Sequence, residues 1–165
     1  MPSRAGLLTG RYQTRFGAES NGAKLDGFNT QQTLAMRLKK AGYATGMTGK
    51  WHLGPEGKVA AHGFDDVFCT QSATGMNLKG WANFDLATGI TTPGAPLNRT
   101  DLFHLETNAA AACAFIKRHA QEPIFFYLAY RGPHTPLDAT EKYVTRFPGP
   151  MPERRRMALA AISAI

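Results

Sequence analysis

The sequence has few cysteines, no long apolar run and no leader-like start. Its two cysteines, Cys69 and Cys113, cannot build a disulfide framework, and their neighbours lack the partners of a zinc site. No apolar run reaches about 18 residues, which excludes a transmembrane helix. The opening Met-Pro-Ser-Arg leads straight into Ala-Gly-Leu-Leu-Thr-Gly, without the apolar region and cleavage site of a signal peptide. These absences predict a globular domain with no signal peptide in this chain.

Acidic residues are also scarce relative to basic ones. The chain contains 19 Lys and Arg residues against 12 Asp and Glu residues, a formal net charge of +7. A basic surface favours anionic partners: nucleic acid, anionic lipid, or small sulfated or phosphorylated compounds. Charge alone does not choose among them. The 43% of hydrophobic residues suffices for a core, and 165 residues suit one domain, which argues against disorder and against a coiled coil.

Helical and strand patterns alternate along the chain, which predicts an α/β fold with a largely parallel sheet. Periodic apolar positions predict helices over residues 2–10, 30–40, 102–120 and 139–146, and from 153 onward. Thr30 is the predicted N-cap of the second helix. Strands are predicted over residues 43–51 and 124–130, the second being a continuous apolar run typical of a strand buried on both faces. Residues 69–100 are predicted to form a long excursion with one short hairpin.

Lys50 and His52 stand two residues apart at the end of the first predicted strand. This spacing places both side chains on one face of the strand and Trp51 on the other. Ligands of α/β sheets bind at the carboxyl ends of the strands, and an ammonium beside an imidazole suits an anion. The alternative is structural: a lysine that lies beside a core tryptophan, with His52 capping the turn.

Two further residues are candidates for the same anion site. His134 follows the second predicted strand between Pro133 and Pro136, which restrict the backbone and fix the direction of the ring. Arg4 lies in the first turn of its helix, where the helix dipole favours an anion. The structural alternatives are a turn histidine held by local hydrogen bonds and a solvated arginine.

The remaining polar clusters are interpreted as structural. His62, His104 and His119 show no partner pattern and are predicted to lie at the surface or on helix faces. The aspartate pair 65–66 is predicted to start a helix or a turn, because no third metal ligand is spaced nearby. The three arginines 154–156 are predicted to be a solvated helix start, since they lack the interleaved aromatics of a nucleic-acid site.

These motifs resemble those of the sulfatase family, whose fold is that of the alkaline-phosphatase superfamily. The first family signature is Cys or Ser, any residue, Pro-Ser-Arg and, after a short run, Leu-Thr-Gly-Arg; residues 1–4 and 8–11 match it from its second position onward. The second signature, Gly-Tyr, a spacer and Gly-Lys-Trp-His-Leu-Gly, is matched by residues 42–43 and 49–54. Residues 133–136 match the family's Pro-His-x-Pro turn. The resemblance spans nearly the whole chain, in family order.

The resemblance implies a sulfuric ester hydrolase that acts on aryl or carbohydrate sulfates. In such enzymes the signature Cys or Ser is oxidised to formylglycine, whose hydrate attacks sulfur, and a calcium ion polarises the sulfate and the nucleophile. By this resemblance, Arg4 and Lys50 steady the nucleophile and the sulfate oxygens. His52 is the implied base when the sulfated hydrate collapses, and His134 contacts the sulfate and assists the leaving oxygen.

The chain departs from the family pattern at several positions. The formylglycine position falls immediately before Met1, and the family's metal-ligating Asp residues fall in strands before and after these residues. The first helix begins at residue 2 and the last runs uncapped to Ile165. We therefore expect residues 1–165 to be part of a catalytic domain truncated at both ends, with the calcium ligands outside this chain and no turnover by the isolated chain. Residue 131 is Arg where the family often has Asn.

Two other functions fit the same residues. A phosphatase or phosphonate hydrolase of the same superfamily would use Lys50, His52 and His134 on a phosphate ester. A non-catalytic anion-binding module would use the net charge alone.

For a sulfatase we expect a sulfated small molecule or glycan as partner, with no nucleic acid and no membrane. The family suggests a periplasmic, secreted or lysosomal location.

Overall fold

The computed structural model describes residues 1–70, 79–82, 98–135 and 137–165. Most of the excursion predicted over residues 69–100 lies outside these ranges. Its described parts include two strands that pair antiparallel, as the predicted hairpin requires.

The described part of the chain contains both strands and helices. The strands are β1 (Ala44–Gly49), β2 (Asp66–Thr70), β3 (Lys79–Ala82), β4 (Asn98–Phe103) and β5 (Ile124–Ala129). The α-helices are α1 (Pro2–Thr9), α2 (Asp26–Asn29), α3 (Leu34–Lys40), α4 (His104–Arg118), α5 (Glu141–Val144) and α6 (Glu153–Ile162). Two 3₁₀ helices span Gln13–Phe16 and Glu56–His62. None of the helices in the described ranges has the length and apolar character needed to cross a bilayer.

Strands β1, β2 and β5 form one parallel sheet in the order β2-β1-β5. The pairing of β1 with β5 runs in continuous register from Ala44 opposite Ile124 to Gly49 opposite Ala129. The prediction of an α/β fold with a parallel sheet is therefore confirmed. Strand β2 is not among the predicted strands. Its first residue, Asp66, belongs to the aspartate pair 65–66, for which the sequence predicts a helix start or a turn.

Helix α3 begins three residues later than predicted. The hydroxyl of Thr33 accepts a hydrogen bond from the N–H of Met36 at 3.1 Å, which makes Thr33 the N-cap. The predicted cap, Thr30, instead donates its hydroxyl to the carbonyl of Gly27 at 2.9 Å. Thr33 also donates to the carbonyl of His62 at 2.6 Å. This buried contact between distant segments fixes where the helix starts.

Aromatic side chains fill the space between one face of the sheet and the amino-terminal segments. Trp51 is fully buried, as predicted, with its ring centroid 6.3 Å from that of Phe28 and 6.0 Å from that of Phe64. His62 belongs to this cluster: it is 5% exposed and its ring centroid lies 4.8 Å from that of Phe28. Of the two predicted alternatives, the surface position is wrong for His62, because aromatic rings surround it, whereas its position at the end of a 3₁₀ helix fits the other.

The opposite face of the sheet packs against α4. The ring of Phe115 from α4 lies 4.8 Å from that of Phe126 in β5. His104, the first residue of α4, is 3% exposed, and its ring centroid lies 4.5 Å from that of Phe103. His104 thus lies on a helix, which is one of the two predicted alternatives, but it is buried and not at the surface. Strand β5 is only half-buried over most of its length, where burial on both faces was predicted.

Two ion pairs lie at the amino end of the sheet: Arg118 of α4 with Asp66, the first residue of β2, and Lys39 of α3 with Asp65, the residue before it. His119 lies next to them, with one ring nitrogen 3.2 Å from the Asp66 carboxylate and the other 2.6 Å from Glu122. The aspartate pair therefore ties β2 to α3 and α4, which corrects the predicted helix start or turn. His119 has acidic partners that its spacing in the sequence did not indicate.

Helix α6 begins at Glu153, as predicted. Arg154 and Arg155 are exposed, which fits a solvated helix start. Arg156 differs, because it donates hydrogen bonds to the carbonyls of Phe147 and Gly149. One of the three arginines is therefore part of the packing between α5 and α6.

Candidate anion-binding site at the carboxyl edge of the sheet

The carboxyl ends of β1 and β5 lie side by side. The N–H of Lys50 donates to the carbonyl of Ala129 at 2.7 Å, one residue beyond the end of β1. Gly49 allows this close approach: its φ is +92°, and a Cβ there would lie 2.2 Å from the same carbonyl oxygen. Lys50 and Arg131 therefore leave the sheet at one edge, the edge at which α/β folds bind ligands.

Arg4 of α1 reaches across this edge. Its Nη1 donates to the carbonyl of Lys50 at 2.8 Å and to the hydroxyl of Tyr127 at 2.7 Å. These two hydrogen bonds connect α1 to both strands and fix the guanidinium beside Lys50. They use the Nη1 group alone, and a guanidinium has three further N–H donors with which to bind an anion.

His52 adopts a left-handed backbone conformation, with φ +59°. Because β1 ends at Gly49, the strand alternation that predicted a shared face for Lys50 and His52 does not apply, and a turn brings them together instead. Partial burial lowers the pKa of His52, and the positive charge of Lys50 lowers it further. Residues other than glycine seldom adopt this conformation, and such backbone strain concentrates at functional sites.

Positive charge dominates the surroundings of His52. Partial burial is the main cause that lowers the pKa of Lys50, followed by the charges of Arg4 and Arg131. The same two arginines also lower the pKa of His52. A histidine with a pKa below 6.5 is mostly neutral at pH 7. The site therefore combines cations with a neutral imidazole that can accept a proton.

The backbone nitrogen of Met1 lies within the same positive field. Partial burial, and then the charges of Lys50 and Arg4, lower the pKa of this amino group. It donates a hydrogen bond to Oδ1 of Asn21 at 2.7 Å.

His134 follows β5 at the same edge of the sheet, after the cis peptide bond of Gly132–Pro133. Its N–H donates to the carbonyl of Arg131 at 3.1 Å, and its ring Nδ1 lies 2.6 Å from the carbonyl of Thr135. The second contact requires a proton on Nδ1, so Nε2 is the ring atom that can meet a ligand. These local hydrogen bonds fit a turn histidine, and the role of His134 in the anion site stays a prediction. Pro136 lies outside the described residues.

Spacing and motifs did not predict two residues of this site, Tyr127 and Arg131. Tyr127 lies in the apolar run of β5, where a hydroxyl among phenylalanines is the signal that could have found it. Arg131, mentioned above only as a departure from the family pattern, is 6% exposed. An arginine is seldom this deeply buried, and one that lies two residues beyond the carboxyl end of a parallel strand indicates a functional position.

The described residues do not fit a calcium site. In the ranges that the structure covers, no three His, Cys, Asp or Glu side chains come together as metal ligands. The side chains around Arg4 and Lys50 are cationic, whereas Ca²⁺ is bound by oxygen ligands.

The sulfatase family model matches residues 1–159, nearly the whole chain. The chain belongs to the sulfatase family. This sulfatase chain is 32% identical over 174 residues to an arylsulfatase of Klebsiella aerogenes, a match that covers 90% of the chain and 36% of the relative. It is 30% identical over 168 residues to an N-acetylgalactosamine-6-sulfatase of Mus musculus, covering 87% of the chain and 32% of the relative. The chain thus spans about a third of the length of these curated relatives.

Its structure is similar to that of Ps i-CgsB in complex with k-i-k-neocarrahexaose. The TM-score is 0.72 at 26% sequence identity, and the match covers 99% of this sulfatase chain and 41% of that chain. The predicted alkaline-phosphatase-like α/β fold is therefore confirmed for the part of the domain that this chain contains.

Proposed function

We propose that the chain forms the anion-binding side of a sulfuric ester hydrolase site. The observation that carries the proposal is the convergence of Arg4, Lys50 and a neutral His52 at the carboxyl edge of the sheet. A sulfate ester presents charged oxygens, which planar guanidinium donors and an ammonium point charge bind well. Membership in the sulfatase family supports the class of reaction.

Arg4 and Lys50 would bind the sulfate oxygens and the charge that grows on them in the transition state. The hydrogen bonds of Arg4 to Tyr127 and to the Lys50 carbonyl position its guanidinium before a substrate arrives. Donors that are already oriented need no reorganisation during the reaction, which is the main source of electrostatic stabilisation in enzymes.

His52 would act as the base, and His134 would assist the leaving oxygen. A general base must be unprotonated at the working pH, and the lowered pKa of His52 keeps its lone pair available near neutrality. The Nε2 of His134 is the atom that would meet the ester oxygen, because Nδ1 is engaged with Thr135.

The proposal includes formylglycine and calcium because the resemblance to the sulfatase family implies both. We place formylglycine immediately before Met1, in the field of Arg4 and Lys50, where its hydrate would supply the oxygen nucleophile. We place the calcium ligands outside this chain because the family resemblance puts them in strands before and after these residues; the part of the chain that the structure describes contains no cluster of three metal-ligating side chains.

Aryl or carbohydrate sulfates are the proposed substrates. The names of the relatives, arylsulfatase and N-acetylgalactosamine-6-sulfatase, support these two classes. The neocarrahexaose bound to Ps i-CgsB supports a carbohydrate.

Calorimetric titration of the isolated chain with 4-nitrophenyl sulfate tests the proposal. We expect the ester to bind, and Arg4→Ala and Lys50→Ala each to weaken binding by about tenfold or more, because a hydrogen bond to a charged group contributes about 1.5–3 kcal/mol. Lys40→Ala is the matched control: it removes an exposed lysine of α3 and should leave the affinity unchanged.

Equal affinities of Lys50→Ala and Lys40→Ala would contradict the proposed anion site. A second assay follows sulfate release by the isolated chain with and without Ca²⁺, and we expect none. Calcium-dependent turnover would contradict the placement of the nucleophile and the metal ligands outside this chain.

A further inference from the structure

Arg131 is a buried cation at the carboxyl edge of the sheet. It is 6% exposed and lies two residues beyond the end of β5. The N–H of Lys50 donates to the carbonyl of Ala129 at 2.7 Å, so the segments that carry Lys50 and Arg131 leave the sheet side by side. A charge that is removed from water interacts more strongly with other charges nearby, because the screening is weaker.

The backbone around Arg131 is fixed on two sides. Its carbonyl accepts a hydrogen bond from the N–H of His134 at 3.1 Å, in the turn after β5. The next residue, Gly132, packs against the first turn of α4, since a Cβ at Gly132 would lie 3.1 Å from Cδ1 of Leu105. With the side chain buried as well, the charge of Arg131 is held in place before any ligand binds.

The charge of Arg131 acts on the proposed sulfate site, at Arg4 and Lys50. Burial is the largest cause that lowers the pKa of Lys50 and of His52, and the charge of Arg131 is among the further causes for both. In the part of the chain that the structure describes, the charged groups that act on these two residues are all cations. Arg131 therefore adds to a positive field at this site.

A fixed charge distinguishes ligands by their own charge. The Coulomb energy between a cation and an anion is proportional to the charge of the anion. A sulfate ester and a phosphate ester of the same alcohol have nearly the same tetrahedral shape. At about pH 8 the sulfate ester carries one negative charge and the phosphate ester close to two, because the second pKa of a phosphate ester is about 6. A positive field therefore stabilises the bound phosphate ester more.

We propose that Arg131 is a specificity-determining residue, whose buried charge makes the proposed sulfate site prefer doubly charged tetrahedral anions to singly charged ones. The inference rests on the proposed function, which places the anion at Arg4 and Lys50. Arg131 acts through the charge that it holds beside the site, so it does not need to touch the anion. The ligands that it favours are phosphate monoesters and other tetrahedral dianions.

Calorimetric titration with two matched probes, 4-nitrophenyl phosphate and 4-nitrophenyl sulfate, tests this proposal at about pH 8. We expect the wild-type chain to bind the phosphate ester at least about tenfold more tightly than the sulfate ester. Arg131→Gln should weaken binding of the sulfate ester by about threefold and of the phosphate ester by about tenfold, because the lost Coulomb energy doubles with the charge of the ligand. Arg131→Lys, which keeps the charge, should retain most of the wild-type ratio.

Two further variants complete the experiment. Arg154→Gln removes the same charge from an exposed position of α6 and should leave the ratio of the two affinities unchanged. Arg131→Met repeats the loss of charge with an apolar side chain that suits a buried position, in case Arg131→Gln does not fold. Circular dichroism and thermal unfolding of each variant verify that the chain remains folded.

A merely structural role of Arg131 gives a different result: its neutral variants then weaken binding of both esters by the same factor, and the ratio keeps its wild-type value. That result overturns the proposal. Equal affinities of the wild-type chain for the two esters, or an equal fall of the ratio in Arg154→Gln, also overturn it. The proposed function fails in another way, namely if Lys50→Ala leaves the affinity for 4-nitrophenyl sulfate unchanged.

Discussion

Burial sets the charge of His104. The side chain is 3% exposed, and burial, followed by the positive charge of Arg131, lowers its pKa from 6.5 to about 4. Between these two pH values the imidazole is neutral in the folded chain and protonated in the unfolded chain. The unfolded state then binds more protons, so the free energy of unfolding decreases as the pH falls through this window.

The pH dependence of unfolding tests this account of His104. We expect the free energy of unfolding to fall between pH 6.5 and 4, and His104→Gln to make that fall smaller by roughly 3 kcal/mol. Urea titrations followed by circular dichroism at several pH values measure it. His134→Gln, which makes the same substitution at an exposed position, is the control for the replacement itself. Identical slopes for wild type and His104→Gln would contradict the burial of His104.

At the scale of the element, two threonines near the start of α3 have different roles. Thr33 caps the helix and holds the carbonyl of His62, whereas the hydroxyl of Thr30 is exposed. We expect Thr33→Ala to lower the free energy of unfolding by about 1–2 kcal/mol, and Thr30→Ala by less than about 0.5 kcal/mol. Chemical denaturation of the two variants measures both values. A larger loss for Thr30→Ala would place the cap where the sequence pattern predicted it.

Glu106 joins α4 to α5 through a network of hydrogen bonds. Its Oε1 accepts from Nζ of Lys142 and from the hydroxyl of Tyr143, each at 2.6 Å, and its Oε2 accepts from the N–H of Phe103 at 3.2 Å. The hydrogen bonds from Lys142 and then from Tyr143 lower the pKa of Glu106. The stabilisation by the carboxylate is therefore present above its ordinary pKa of 4.5 and is lost as the pH falls through the lower, folded-state value.

Replacement of this carboxylate tests the link between the helices. We expect Glu106→Gln to lower the free energy of unfolding by about 1–2 kcal/mol at pH 7, and the difference from wild type to shrink in acid. Glu141→Gln, at an exposed position of α5, is the control and should have little effect. The account would be wrong if the two variants unfolded alike at pH 7.

Local sequence patterns predicted which elements exist better than where they begin and end. Both predicted strands, residues 43–51 and 124–130, lie close to the observed β1 and β5, because a strand pattern depends on neighbouring residues. The start of α3 depends instead on the contact of Thr33 with His62, which lies far along the chain. Strand β2 forms by parallel pairing with β1, a contact between distant segments that no local pattern reveals.

At the scale of the whole molecule, the candidate site joins segments that are distant in sequence. The motifs indicated Arg4, Lys50 and His52, but the alternation argument for the last two was wrong, since a left-handed turn follows β1. Tyr127 and Arg131 could not be predicted from spacing, because the parallel pairing of β1 with β5 brings them to the site.

Charge is distributed unevenly between the two ends of the sheet. At the amino end, Lys39 and Arg118 are neutralised by Asp65 and Asp66. At the carboxyl end, the described side chains around His52 are cationic. The positive charge at the carboxyl end directs anions toward the proposed sulfate site.

The central claim is that the lysine and both histidines of the site bind one and the same anion. A nuclear magnetic resonance titration tests this claim most directly. The chain is labelled with ¹⁵N in its histidine rings and titrated with 4-nitrophenyl sulfate. We predict that the ring signals of His52 and His134 shift together with one Kd, that those of the buried His62 and His104 stay in place, and that Lys50→Ala abolishes the shifts. A response of His52 without His134, or shifts that persist in Lys50→Ala, would contradict the account.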